Sequence, residues 1–391
     1  MTVIAPMDEA GIAAAIAQAH AAREPLAIEG RGTKRAMLRS VQAARTLSTR
    51  NLTGITLYKP SELVMSARAG TPIPEIEAAL AERGQQIIAE PPDLAAFFSA
   101  SEAATLGGIT ATNLSGPRRI TWGAMRDHVL GIRAVTGKGE VFRSGGRVLK
   151  NVTGLDLCKL LAGSHGTLGV LTEITFKVLP RAEATATLAI PVPDIAAGVR
   201  ALSAALGSPY GVSGAALLPD ASMLGLSGAV ALARIEDFAE SVDYRIGRLR
   251  ADLERHGQAR VLDDAPAAWR AVRDLTALGA APGDGVWRLS LPPSAAPACC
   301  AALAVISPKL LLDWGGGLVW FAAPPDEATH RAVIDAATRG SYMLFRGPDS
   351  WRGSVPVITE EGEPMRGIAL RVKAAMDPAG ILNPGRMRAG H

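Results

Sequence analysis

Cysteine and aromatic side chains are both scarce in this sequence, and each shortage closes off a class of protein. The three cysteines are Cys158, Cys299 and Cys300, an odd count with two adjacent, so no disulfide framework is available and a reducing compartment is expected. Without a C-x-x-C spacing, an iron–sulfur cluster of the chain's own is not expected. The six histidines contain no H-E-x-x-H or other close ligand pair, so no metal site is expected. Aromatics make up 4%, too few for a platform that stacks single-stranded nucleic acid. The serines near glycines form no G-x-S-x-G elbow, which leaves a hydrolase triad without support. Long apolar runs are missing too: the most apolar later stretch, Leu310 to Pro325, is interrupted by Asp313 and three glycines. The N-terminus carries Asp8 and Glu9 and lacks the basic-then-apolar order of a signal peptide. A soluble cytoplasmic protein is the expectation.

What the chain does have is length and apolar content. At 391 residues and 48% hydrophobic, it can bury a sizeable core and is expected to form two domains. Forty-one glycines and 26 prolines without a period predict many turns. The net charge is +4, but Ser115 to Arg181 holds eleven Lys or Arg against four Asp or Glu. Two readings stand: a solvated face, or positive potential beside an anionic cofactor or acidic substrate. Nucleic acid is disfavoured, because no reading module accompanies the charge.

Along the chain, Asp8 to Ala22 reads as a helix with Ile12, Ile16 and Ala19 inward. A strand at Leu26 to Glu29 runs into Gly30-Arg31-Gly32-Thr33-Lys34, and strands follow at Gly54 to Tyr58 and Leu63 to Ala69. Thr71 to Arg83 reads as a helix with Thr71 as cap, Pro72 at its first position and Gly84 as its stop. Glu90 to Gly123 is rich in small residues and reads as a functional loop or one that wraps a ligand. A hairpin is expected over Val129 to Thr136 and Glu140 to Arg143, then a short helix at Leu155 to Ala162 and a strand at Val170 to Val178. Beyond Pro180, Ala-rich helical stretches such as Ile195 to Leu206 and Phe238 to His256 are expected to dominate.

Three glycine-rich stretches carry the chemistry. Gly30-Arg31-Gly32 follows a strand as a dinucleotide fingerprint would, but Arg35 replaces the third glycine and a plain tight turn is an equal reading. Gly131 to Lys138 has the wrong spacing for a phosphate loop, and Gly139 sits where Ser or Thr should. Gly163-Ser164-His165-Gly166-Thr167-Leu168-Gly169 enters a strand; alone it is a sharp turn, and His165 within it reads as structural before catalytic. Asp127 and Asp156 read as caps or loop hydrogen-bonders. Several such loops together are what a cofactor with a pyrophosphate needs, since glycines let backbone N–H groups come close.

The order of further motifs is specific. Pro91-Pro92, Ala104-Thr105-Leu106-Gly107-Gly108, Gly116-Pro117-Arg118-Arg119, Arg126-Asp127-His128-Val129-Leu130-Gly131, Lys150-Asn151-Val152-Thr153-Gly154, Gly166 to Glu173 and Asp377 to Arg386 stand in sequence. This set resembles the FAD-binding fold shared by vanillyl-alcohol oxidase and p-cresol methylhydroxylase (PCMH). Within it, the set is most similar to the family of FAD-binding E subunits of bacterial glycolate oxidase. The similarity covers residues 25–181 and 376–386.

The resemblance implies an α+β chain, a two-subdomain PCMH-type FAD-binding fold with a smaller α/β cap. Residues 1–180 would be the flavin domain, 181–345 the cap or substrate-type domain, and 346–391 a segment returning to the flavin. Gly30, Arg31, Gly32, Thr33 and Lys34, with Thr105, Leu106, Gly107 and Gly108, would hold the pyrophosphate and ribityl chain. Ala111, Thr112 and Gly116 would line the same channel, Gly169 and Val170 would offer backbone groups toward the adenine, and Asn383 and Arg386 would return to the flavin. FAD would be noncovalent, because the first glycine loop lacks the histidine of covalently flavinylated relatives. The implied partners are a larger FAD-binding glycolate oxidase subunit and an iron–sulfur subunit. The implied substrate is a small 2-hydroxy acid such as glycolate or D-lactate, with at most peripheral association at the inner membrane through the partners. Leu155, His165 and Arg386 stand where relatives carry Tyr, Glu or Tyr, and Lys. The middle domain lacks paired metal-type histidines, and no catalytic base is assigned. A non-catalytic flavin-binding assembly or electron-relay subunit is therefore the competing reading, ahead of a self-contained FAD oxidase for a sugar or other alcohol.

Overall fold

The structure is a computed structural model that describes residues 2–147 and 155–390; the Lys150 to Gly154 motif lies outside the described residues. The chain begins with a parallel three-stranded sheet in which Arg45–Ser48 lies between Thr2–Ile4 and Leu26–Glu29. The helix Glu9–Ala22 connects the outer strands. Asp8 caps it by accepting a hydrogen bond from the Gly11 N–H at 2.8 Å, and Ile12, Ile16 and Ala19 are buried beneath it.

A five-stranded antiparallel sheet follows, in the order Ile55–Lys59, Val64–Arg68, Val170–Lys177, Val129–Val135, Val141–Gly145. The hairpin turning at Gly137 to Gly139 forms as expected. The helix Ile73–Ala81 buries Ile73, Ile76 and Leu80 in the same core, but its cap differs from expectation. Pro72 occupies the cap position, while the Thr71 hydroxyl turns back to the Arg68 carbonyl at 2.7 Å. The Glu90 to Gly123 stretch is not all loop either: it folds into the helices Leu106–Thr112 and Arg119–Trp122. Asp156 caps the helix Leu157–Leu161, accepting from the Lys159 N–H at 3.2 Å.

After residue 180 the expected helices form, as Ile195–Leu206 and Ala239–Asp252, but they pack on a sheet that the helical reading did not anticipate. An eight-stranded antiparallel sheet runs Arg260–Val261, Ala184–Val192, Ala229–Asp237, Val212–Leu218, Lys309–Asp313, Leu318–Ala323, Gly285–Ser290, Ser341–Arg346. Helices such as Ile195–Leu206 and Ala239–Asp252 cover it. Val212–Leu218 and Leu318–Ala323 are buried at every residue, so neither shows the alternation that marks a strand. Buried on both faces and rich in alanine, these strands have the same apolar pattern as a buried helix.

The eight-stranded sheet meets the first half of the chain through a buried charge cluster. Arg118 pairs with Glu236 at 2.7 Å and Glu90 at 3.4 Å, while Arg234 pairs with Glu90 at 3.0 Å and Glu236 at 3.2 Å. Burial by itself would raise the Glu236 carboxyl, but the Arg118 hydrogen bonds and the Arg234 and Arg118 charges bring it down to about 2. Beside it, Trp314 donates its indole N–H to the Gly116 carbonyl at 3.2 Å.

Arg118→Ala leaves two buried carboxylates short of a partner and is expected to cost roughly 3–5 kcal/mol, read as a lowered unfolding midpoint. The folded-state Glu236 pKa lies below the free value of 4.5, so its stabilisation is complete above that pH and is lost as the pH falls toward about 2. Unfolding midpoints measured against pH should show this loss in the wild type and not in Glu236→Gln.

Candidate functional site

Between the small parallel sheet and the five-stranded sheet lies a cavity of about 660 Å³. That volume falls in the range of cofactor sites, roughly 300–1,000 Å³. Its floor is made by the loop after strand Leu26–Glu29 and by the start of helix Leu106–Thr112. The two press together closely: a Cβ at Gly30 would lie 2.3 Å from the Thr105 hydroxyl oxygen. That hydroxyl accepts from the Gly108 N–H at 3.2 Å and so fixes the first turn of the helix. A Cβ at Gly107 would come 2.8 Å from that of Ala69, which keeps the helix against the five-stranded sheet.

The far wall is built by the C-terminal segment. The Asn383 amide accepts from the Ile28 N–H at 2.7 Å, and donates to the Ile28 carbonyl at 3.2 Å and the His165 carbonyl at 2.8 Å. One side chain thereby holds the strand Leu26–Glu29 against the Ser164 to Gly166 loop. Asp377, also buried, accepts from the Ile381 and Leu382 N–H groups and pairs with Lys373 at 2.6 Å. Arg386 spends its guanidinium on the carbonyls of Lys34, Arg35 and Arg39, at 2.7, 3.1 and 3.0 Å. Arg352 does the same from the helix Asp349–Ser354, donating to the Leu38 carbonyl at 2.6 Å. Two arginines from the end of the chain therefore shape the loop that carries Lys34.

The cavity is electropositive. Among the described residues, the Lys34 ammonium has only the Thr33 hydroxyl as a side-chain partner, at 3.2 Å. Burial, with help from the Arg386 charge and against the pull of Asp93, brings its ammonium down to about 8. Arg386 is pushed down to about 10 by burial and the neighbouring Arg352. His165 is buried with a left-handed backbone, φ 53°, a conformation that costs a non-glycine residue about 1–3 kcal/mol. Burial and then the Arg386, Arg288 and Lys34 charges hold its imidazole down to about 3, so it is neutral at any ordinary pH. Positive groups crowded around a space with glycine-lined walls suit a diphosphate, whose charge would offset theirs.

Of the residues expected at the cofactor, Gly30, Arg31, Gly32, Thr33, Lys34, Thr105, Gly107, Gly108, Ala111, Thr112, Gly169, Val170, Asn383 and Arg386 all line this cavity. Leu106 and Gly116 do not. Leu106 points into the core, fully buried, and Gly116 borders a separate recess beside Trp314. Glu29, Arg35, Ser164, His165, Gly166, Asp349 and Arg352 line the cavity without having been expected there. The first five sit inside or beside the glycine loops and could have been read from them. Asp349 and Arg352 had no local signal: Arg352 reaches a loop more than 300 positions earlier, and Asp349 pairs with Arg352. Among the described residues, the basic stretch Ser115 to Arg181 puts no Lys or Arg on the cavity wall. Arg118 belongs to the buried cluster, Arg133 pairs with Glu9, and Lys159 donates to the Arg126 carbonyl.

Comparison with known proteins identifies the family and its cofactor. Residues 2–145 match the family described as an FAD binding domain. The chain is 36% identical over 374 residues to the glycolate oxidase subunit GlcE of Escherichia coli (strain K12), covering 95% of each. It is 42% identical over 95 residues to a D-lactate dehydrogenase of Archaeoglobus fulgidus, 24% of this chain and 21% of that one. Its fold is shared with p-cresol methylhydroxylase, with a TM-score of 0.73 at 14% identity over 99% of this chain and 88% of that one. The α+β flavin-binding architecture expected from the motifs is thus the observed one.

Lys34 should report on the cofactor. An anion beside it raises its pKa above the free value of about 8, so affinity for FAD is level below that pH and falls as the pH rises above it. Fluorescence titration of the apoprotein with FAD should show this decline, and Lys34→Met should bind roughly 10-fold or more weakly with the decline gone.

Proposed function

The chain belongs to the family of the GlcE subunit of glycolate oxidase, and from that premise we propose that it is the FAD-binding subunit of a glycolate-oxidising complex. The observation that carries the reading is the electropositive, glycine-walled cavity of about 660 Å³, together with a relative matched along 95% of both chains. When bound, FAD would supply a two-electron acceptor for a small 2-hydroxy acid. The chain's own residues do the holding. Gly30 to Lys34 bring backbone donors and one ammonium to the diphosphate, while Gly107 and Gly108, their N–H groups bonded to the Ala69 carbonyl and the Thr105 hydroxyl, leave the floor free of side chains. Asn383 keeps the walls at a fixed separation, and the neutral His165 faces the cavity without adding charge.

Its partners in this reading are a larger flavoprotein subunit and an iron–sulfur subunit. The sequence offers no clustered cysteines of its own, and electrons leaving a flavin need an acceptor. Cys158, Cys299 and Cys300 are buried and free, and burial pushes the Cys299 and Cys300 thiols up to about 11 and 12. Among the described residues, no helix is long and apolar enough to cross a membrane. The competing reading, an assembly or relay subunit without substrate chemistry, draws support from His165. It is the one histidine lining the cavity among the described residues, and at about 3 it is too weak a base to take a hydroxyl proton readily.

Anaerobic titration of the purified flavoprotein with glycolate or D-lactate separates the two. Bleaching of the flavin band without other subunits supports substrate oxidation on this chain. A band that stays oxidised until the other subunits are added assigns this chain the relay role.

A further inference from the structure

A second space lies where the eight-stranded sheet meets the flavin half of the chain. It is a recess of about 20 Å³ bordered by Gly116, Arg288, Asp313, Trp314 and Trp320. Arg288 projects from the strand Gly285–Ser290, and its guanidinium carbon stands 5.2 Å from the Trp314 ring and 5.9 Å from the Trp320 ring. Among the described residues it has no carboxylate partner, and its enclosed Nε has no hydrogen bond. Four other cations at this interface have partners: Arg118 and Arg234 pair with carboxylates, Arg273 with Asp274, and Arg346 donates to the Phe97 and Ala281 carbonyls. The neighbouring charge is more of the same sign, since the Arg119 guanidinium carbon stands 4.5 Å from the Trp314 ring.

Arg288 is half-buried, and a charge partly withdrawn from water without a counter-ion is costly, the more so beside a like charge. Burial and Arg119 push the Arg288 guanidinium down to about 10. Asp313, which shares the recess, is no counter-ion. Its carboxylate side chain accepts from the Trp314 N–H at 2.7 Å, and burial raises it to about 7. The recess also adjoins the flavin cavity. Ala111 and Thr112 line the cavity, Asn113 and Leu114 line the recess, and Arg288 is near enough to His165 to depress its basicity.

We propose that Arg288 is the anchor for the carboxylate of a small acid, held between Trp314 and Trp320 at the mouth of the flavin cavity. This rests on the glycolate-oxidising reading and supplies its specificity element. A guanidinium fork matches a carboxylate in two parallel hydrogen bonds, and a recess of about 20 Å³ admits one small end group while the rest of the acid extends outward. Arg119 reinforces the attraction, and a protonated Asp313 would donate to the anion instead of repelling it.

The test uses the full-length flavoprotein and a non-oxidisable probe, oxalate, with the neutral glycolamide as control. Binding is read from tryptophan fluorescence, to which Trp314 and Trp320 contribute, and flavin content is read separately from visible absorbance. The wild type should bind oxalate and not glycolamide. Arg288→Met should weaken oxalate binding roughly 10- to 100-fold, and Arg288→Lys less. The unliganded unfolding midpoint of Arg288→Met should equal or exceed that of the wild type, because removing an unpaired, half-buried charge strands no partner. Equal oxalate affinity in wild type and Arg288→Met, or no oxalate binding by the wild type, overturns the proposal. So does a loss of binding accompanied by a lowered midpoint, which would make Arg288 a packing residue. A flavoprotein that binds oxalate through Arg288 but is never reduced by glycolate would contradict the function and leave the anion site standing. Reduction by glycolate with unchanged oxalate affinity in Arg288→Met would do the reverse.

Discussion

The side-chain amide of Asn383 holds together the parts of this molecule that matter most. It satisfies both the N–H and the carbonyl of Ile28 and also the carbonyl of His165. Those groups belong to the strand leading into the Lys34 loop and to the third glycine loop. Neither is close in sequence to the other or to the C-terminus. A buried amide that meets three backbone groups leaves little freedom, since each bond lost would strand a buried polar atom at about 1–3 kcal/mol. The cavity's width is therefore set by a residue that arrives last in the chain. The neighbouring Asp377 and Arg386 fix the path of the segment and the shape of the loop it meets.

Charge is organised in two separate ways. At the seam with the eight-stranded sheet, arginines and glutamates neutralise one another, and the Gly116 to Arg119 motif serves the joint between halves. In the flavin cavity and the recess beside it, Lys34, Arg386 and Arg288 lack carboxylate partners within ion-pair reach among the described residues. Half-buried cations without counter-ions are tolerated where a ligand completes them. The contrast between paired arginines at the seam and unpaired cations at the cavity marks where anionic groups belong.

Much of the first half was legible from local signals. Strands with turn residues after them, a capped first helix and the glycine loops led to the flavin fold, and the loops converge on one cavity. The second half was less legible for a physical reason. Val212–Leu218 and Leu318–Ala323 are buried on both faces, so the period-two pattern is erased and alanine adds a helical bias. Arg352 and Arg288 were invisible for a different reason. Their significance lies in what they reach across long sequence separations, or in the partner they lack, and neither property is written in neighbouring residues.

The central claim is that the C-terminal clamp shapes a cavity that holds FAD. Asn383→Leu tests it most directly, through the rise in unfolding midpoint that added FAD gives the apoprotein. The account predicts that the variant folds, with far-ultraviolet circular dichroism close to that of the wild type, yet loses most of the FAD-induced rise. A folded variant stabilised by FAD as strongly as the wild type would contradict it.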